Sequence, residues 1–179
     1  MKSCLPTLLC GALAFTLSAC ATDSSLSLGV EDTCGSLKSI VADYDSGFEA
    51  YRGAGSNYRA IAVYRAKTEL VRGHCEIWAW AQGDHAYVCS ANAPSAEVAQ
   101  VRYDKSLSFL QQCLSDGWEQ TAVGKSKNGE PTGVATRFTS NANPGLVVSV
   151  QKLIAPNAYR TIHSNYLFIG TAERGNTAN

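Results

Sequence analysis

The chain has 179 residues, with 15 basic and 15 acidic side chains and seven cysteines. This balanced charge argues against a nucleic-acid-binding protein, which needs a strongly basic face, and gives no reason to expect a polybasic lipid-binding surface. The length suits a single domain preceded by a short leader.

The first twenty residues have the composition of an export signal. Lys2 is the only charge before Asp23, and the apolar run that follows it is shorter than the ~20 residues that span a bilayer comfortably. The run ends in Leu17-Ser18-Ala19-Cys20. This ending resembles the lipobox of bacterial lipoprotein precursors, in which an aliphatic and two small residues precede the lipidated cysteine. A buried core helix and a transmembrane anchor are the alternatives.

The resemblance implies that residues 1–19 are removed and that Cys20 is acylated. Several acyl chains on one residue give stable anchoring, whereas a single chain binds membranes only marginally. In enteric-type lipoproteins an aspartate after the lipidated cysteine favours the inner membrane, and Ala21 stands there instead. We therefore expect an outer-membrane anchor with the domain facing the periplasm.

Four cysteines remain for the domain: Cys34, Cys75, Cys89 and Cys113. An even number in an exported chain predicts two disulfides, for which three pairings are possible. We favour 34–113, which joins two predicted helices, with 75–89, which joins the ends of one predicted hairpin region. A metal site is disfavoured because the chain has no C-x-x-C pair and only His74 adjoins a cysteine. No cofactor is predicted.

The domain is predicted to cover residues 33–171, after a lipidated, Ser-rich spacer at 20–32 and before a frayed tail at 172–179. Apolar residues at helical spacing predict a first helix that Thr33 caps and that stops near Gly53. The next segments are read as a Gly/Ser/Asn loop at Ala54–Tyr58 and a strand at Tyr64–Val71.

A hairpin is the clearest strand signal, with "EIWAWAQ" and "HAYVCSA" on either side of Gly83-Asp84. A two-residue turn would place four side chains on one sheet face: Trp78, Trp80, Tyr87 and Cys89. Ile77 and Val88 would lie on the other face. Cys75 would also lie on that other face, away from Cys89. The favoured 75–89 bridge therefore requires a less regular hairpin.

The second half repeats the order of helix and then strands. A helix is predicted from Pro94 to a left-handed cap at Gly117, followed by a polar loop at Gly124–Gly133 with an Asn-Gly turn signal. Strands follow up to Gly170, and no internal sequence repeat is evident. The fold class is α+β, with a largely antiparallel sheet and two helices packed on one face.

No motif predicts catalysis. The chain lacks a G-x-S-x-G elbow, and the glycine-rich run at Arg52–Asn57 lacks the Lys-Ser/Thr ending of a P-loop. Asp84 and His85 are adjacent in a strand and point to opposite faces, so a solvated turn is favoured over an acid–base pair. His163 stands alone in a predicted strand. We predict no catalytic residues and a protein that is not an enzyme.

A binding surface is the functional hypothesis that remains. If the helices cover the other face, Trp78, Trp80 and Tyr87 point outward, as aromatic clusters at binding sites do; the alternative places them beneath the helices. In size, anchor and bridges the chain resembles immunity lipoproteins that proteobacteria encode beside periplasmic toxic effectors. A pilotin-like assembly lipoprotein and a cell-envelope enzyme are the other hypotheses.

Overall fold

The computed structural model describes residues 29–71, 75–114, 116–156 and 160–177. The predicted signal peptide, the lipobox with Cys20, and His74 lie outside the described residues. The predicted domain is covered apart from short internal gaps.

Three α-helices and eight strands form within these ranges. The helices are α1 (Thr33–Ala42), α2 (Ala96–Cys113) and α3 (Ala172–Thr177), and a 3₁₀ turn covers Glu49–Tyr51. The strands are β1 (Arg52–Asn57), β2 (Ile61–Ala66), β3 (Cys75–Trp80), β4 (His85–Ala93), β5 (Glu119–Lys127), β6 (Glu130–Thr139), β7 (Leu146–Pro156) and β8 (Thr161–Thr171). In the described part of the chain, no helix is both long and apolar enough to cross a membrane.

All eight strands belong to one antiparallel sheet in the order β1-β2-β3-β4-β8-β7-β6-β5. Each half of the chain is a helix followed by a four-stranded meander, and the halves join where their last strands, β4 and β8, pair. This confirms the predicted α+β class and the antiparallel sheet. The shared connectivity of the halves has no counterpart in sequence similarity.

Side chains from the sheet enter two separate apolar clusters. The larger lies on the core face, which we define as the side bearing Ile77, Tyr87 and Leu167, and it includes residues of α1 and α2. The opposite side, which we call the aromatic face, bears Trp78, Trp80, Val88, Tyr166 and Phe168. α2 contacts β4, β7 and β8, and α1 contacts α2.

Both favoured disulfides are present. Cys34 in the first turn of α1 is bonded to Cys113 at the end of α2. Cys75 and Cys89 are bonded directly across β3 and β4, with their Cα atoms 4.0 Å apart. The hairpin brings them opposite each other because the Trp80 N–H donates to the Asp84 carbonyl, which leaves three connecting residues, 81–83, instead of the predicted two at 83–84.

The first predicted helix is too long. Asp32, and not Thr33, caps α1, since its side chain accepts a hydrogen bond from the Gly35 N–H at 2.8 Å. The helix ends at Ala42, and a turn follows in which Gly47 and Phe48 have φ of 66° and 63°. Two left-handed residues cannot continue a right-handed helix, although the apolar spacing continues to Tyr51.

Several strand boundaries also differ from the predictions. The predicted loop at Ala54–Tyr58 is mostly β1, a glycine-rich edge strand, and the predicted strand at Tyr64–Val71 is β2 (Ile61–Ala66). The predicted polar loop at Gly124–Gly133 is a hairpin: Asn128 and Gly129, with φ of 53° and 86°, form its two-residue turn. The Asn-Gly signal was therefore correct and the loop around it was not.

The helix boundaries in the second half are corrected in the same way. α2 begins at Ala96 after Ser95, whose Oγ accepts a hydrogen bond from the Val98 N–H at 3.4 Å. Gly117 has the predicted left-handed conformation, φ 83°, but lies beyond the end of the helix at Cys113. The frayed tail predicted for 172–179 is wrong for Ala172–Thr177, which form α3.

Candidate functional site

The β3–β4 hairpin decides which aromatic side chains lie together. Ile77 pairs with Tyr87, and Trp78 pairs with Ala86. The prediction that Trp78, Trp80 and Tyr87 share one face is therefore wrong. Three residues, 81–83, connect Trp80 to Asp84, so the register of β4 is shifted by three positions relative to the two-residue turn at 83–84. A shift by an odd number of positions exchanges the two faces of a strand.

Tyr87 is a core residue on the opposite side of the sheet from the tryptophans. It is fully buried, its ring lies 6.4 Å from that of Phe48, and burial raises the pKa of its hydroxyl. The hydroxyl donates a hydrogen bond to the Thr68 carbonyl at 2.7 Å and accepts one from the Leu70 N–H at 2.9 Å. Its role is to fix the chain after β2, and it is not available to a partner.

Trp78 and Trp80 form an edge-to-face pair on the aromatic face, with ring centroids 5.9 Å apart. Both are half-buried, and they pack against the smaller cluster of Ala86, Val88, Val147 and Phe168. The Trp78 indole N–H donates a hydrogen bond to the exposed Glu76 carboxylate at 2.9 Å. Each ring is therefore packed against the fold in part and accessible to solvent in part.

Arg174 of α3 completes this surface. Its guanidinium carbon lies 4.9 Å from the centroid of the Trp80 ring, within the range of a cation–π contact. Its Nε donates to Asp84 Oδ2 at 2.8 Å and its Nη2 donates to Gln82 Oε1 at 3.0 Å. Arg174 thus fixes Trp80 against the end of the hairpin. Sequence reasoning missed it, since its partners are in the other half of the chain.

The remainder of α3 packs on the aromatic face, near the tryptophans. Gly175 lies against Val147 and Phe168 so closely that a Cβ there would be 3.0 Å from Val147 Cγ1. The buried Lys125 of β5 donates a hydrogen bond to the Gly175 carbonyl at 3.0 Å. Burial, followed by the charge of Arg137, lowers the pKa of Lys125. These contacts attach α3 to the sheet and so position Arg174.

Asp84 and His85 make contacts with different parts of the fold. Asp84 binds Arg174, whereas His85 lies against Gly47, where an added Cβ would be 3.0 Å from His85 Nδ1. Arg52 donates a hydrogen bond to the Gly47 carbonyl at 2.9 Å, and burial and the charge of Arg52 lower the pKa of His85. The imidazole is therefore neutral at pH 7 and packs against the turn after α1.

The other candidate ligands are dispersed. His163 lies opposite Ala93, at the far end of β4 from His85. In the ranges that the structure describes, no group of three or more His, Cys, Asp or Glu side chains is placed to hold a metal ion. The aromatic face is therefore the surface with the most specific arrangement of side chains.

Comparisons with known proteins do not assign the chain to a family. No protein-family model matches it, and no characterised protein or solved structure shows significant similarity to it.

Proposed function

We propose that this chain is a lipoprotein of the bacterial outer membrane that acts without catalysis, by binding another protein through its aromatic face. Residues 1–19 act as the signal peptide, Cys20 carries the lipid, and residues 20–32 link the anchor to the domain. The partner that we favour is a toxic effector secreted into the periplasm, which makes the chain an immunity protein.

The observation that supports binding is the fixed, half-buried pair of Trp78 and Trp80. Glu76 and Arg174 hold the two indoles from opposite sides of the pair. Tryptophan and arginine are enriched among the few residues that supply most of the energy of protein–protein interfaces. Side chains that are already fixed before association lose little conformational entropy on binding.

Inhibition of an effector by occlusion suits a domain that two disulfides make rigid. A disulfide joins α1 to α2, and another joins β3, which carries the tryptophans, to β4. A rigid face with protruding aromatic rings can block the active site of an enzyme by occlusion, with no chemistry of its own. The aromatic face is therefore assigned the contact with the effector.

Purification from the native envelope tests the partner class. An affinity tag inserted between Ser24 and Ser25, in the predicted spacer, leaves α3 and Arg174 unaltered. The cells also express the neighbouring genes, and co-purified proteins are identified by mass spectrometry. We expect one stoichiometric partner that is toxic in the periplasm when it is produced alone. A secretion or pilus component in its place supports the assembly-lipoprotein hypothesis instead.

Trp78→Ala with Trp80→Ala is expected to weaken binding of that partner by at least ~30-fold, because each interface hot spot contributes ~2 kcal/mol or more. Val101→Ala is the matched control, since Val101 is 49% exposed on α2, away from the aromatic face. Isothermal titration calorimetry with the purified partner measures both affinities. Unchanged affinity in the double tryptophan variant excludes this face as the contact.

Cys20→Ala is expected to abolish lipid labelling and anchoring. Cells are grown with an alkyne-tagged fatty acid, and the protein is followed through membrane fractionation. Cys10→Ala, which changes a cysteine within the predicted signal, is expected to be labelled and anchored like the wild-type chain. Lipid label on the Cys20→Ala variant contradicts the proposed anchor.

A further inference from the structure

The two edge strands of the sheet differ in their capacity to pair with a further strand. β1 has six residues, two of them glycine, and its pairing is irregular between Arg52 and Gly55. β5 has nine residues, and no described strand pairs with its outer side. The irregularity in the β5–β6 pairing leaves Thr132 of β6 as the extra residue, so β5 is continuous. β5 therefore presents a long row of unpaired backbone groups.

The sequence of β5, EQTAVGKSK, is complementary to itself when two copies run antiparallel. With the two-fold axis at Val123, Glu119 of each copy lies opposite Lys127 of the other. Ala122 lies opposite Gly124, and Val123 lies opposite its own equivalent. Opposite charges across a strand pair contribute ~0.2–1 kcal/mol, and the symmetry produces the pair twice. A parallel, in-register pairing instead places like charges side by side.

The side chains along this edge leave room for a second strand. The residues from Glu119 to Ala122 are exposed, and a Cβ added at Gly124 would meet nothing within 4 Å. α2 reaches the edge at Gln120, whose Oε1 accepts a hydrogen bond from Gln111 at 2.9 Å. In the symmetric register the residue opposite Gln120 is Ser126, which is small enough to fit beneath this contact.

We propose that β5 is a homodimer interface, through which two copies of this chain form one continuous antiparallel sheet. The contact is isologous and closed by two-fold symmetry. Lysines on edge strands normally prevent pairing with other strands, and here Glu119 supplies the countercharge only in the symmetric antiparallel register. Two nine-residue strands bury less than the ~1,600 Å² of a standard interface, so dissociation constants on the order of micromolar are expected.

Register-specific cross-linking tests the interface. The variant Val123→Cys is purified as the mature lipidated chain in detergent and oxidised with copper phenanthroline at about 50 µM, well above a micromolar dissociation constant. In the proposed register the Cβ atoms at position 123 of the two copies lie directly opposite each other, ~5 Å apart, so a disulfide-linked dimer is expected. Thr121→Cys is the matched control. In the proposed register position 121 of one copy is offset from position 121 of the other by four residues, ~13 Å along the strand, so little disulfide-linked dimer is expected.

A charge exchange tests the pairing in the absence of cross-links. Glu119→Lys and Lys127→Glu are each expected to raise the dissociation constant about tenfold in sedimentation velocity, because two attractive pairs become repulsive in each. The combined exchange restores the original affinity. A chain that is monomeric at all concentrations, equal cross-linking at position 121, or no restoration overturns the proposal.

The dimer is independent of the aromatic face. Trp78→Ala with Trp80→Ala therefore leaves the dissociation constant of the dimer unchanged, even where it abolishes partner binding. The same oxidation is repeated on intact envelopes before purification. Cross-linking of Val123→Cys there to a different protein, with no disulfide-linked dimer, contradicts the second copy as the occupant of this edge.

Discussion

Replacing Cys34 and Cys113 together with alanine is expected to lower the free energy of unfolding by about 4.5 kcal/mol. The two residues are separated by 79 positions, and the stabilisation rises with the length of the loop that a bridge closes, through the entropy of the unfolded chain. α1 also depends on this link, since the bridge joins it to α2, the helix that it contacts. Urea denaturation, followed by circular dichroism at two or more wavelengths, measures the loss.

The Cys75–Cys89 bridge provides the comparison. Its residues are separated by 14 positions, for which the same relation gives about 3 kcal/mol. The double alanine variant at 75 and 89 is measured under the same conditions. A loss below about 2 kcal/mol for the pair at 34 and 113 contradicts the view that this bridge restrains the unfolded chain.

Tyr87→Ala is expected to cost about 3–5 kcal/mol, the usual range for removal of a large buried ring. The ring is fully buried against Phe48 in the larger cluster. Tyr87→Phe keeps the ring and removes the hydroxyl, which leaves the Leu70 N–H and the Thr68 carbonyl without this partner. Its expected cost is about 1–3 kcal/mol.

Tyr58 supplies the control for the tyrosine variants. It is 65% exposed, so Tyr58→Ala is expected to change stability by no more than about 0.5 kcal/mol. Thermal and urea denaturation of the three variants give the comparison. If Tyr87→Phe were as stable as the wild-type chain, the hydroxyl would not hold the segment after β2.

Features encoded over a few neighbouring residues were predictable. The Asn128-Gly129 turn depends on two residues that tolerate positive φ, and α2 was indicated by the apolar stripe along it. The number of cysteines after the predicted signal peptide also indicated two bridges, and both favoured pairings are present. Turns and helical stripes depend on local backbone geometry, so they can be recognised in the sequence without knowledge of the fold.

Long-range and register-dependent features were not predictable in this way. The apolar spacing of α1 continues into the turn at Gly47 and Phe48, because Phe48 is buried there as a core residue and not as part of a helix. β1 has few strand-forming residues, and its strand conformation comes from pairing with β2. In each case a tertiary contact outweighs the local preference.

The sequence by itself determined the α+β class, the antiparallel sheet and the number of disulfides, because turns, helical stripes and strand alternation are short-range properties and the cysteines can be counted. It favoured the observed pairing of the cysteines without excluding the other two. Only the tertiary structure decided which aromatic residues form the candidate site. The length of one turn placed Tyr87 in the core and left Trp78 and Trp80 on the other face. Pairing of β4 with β8 then brought Arg174 to Trp80, a contact between distant segments that no local pattern encodes.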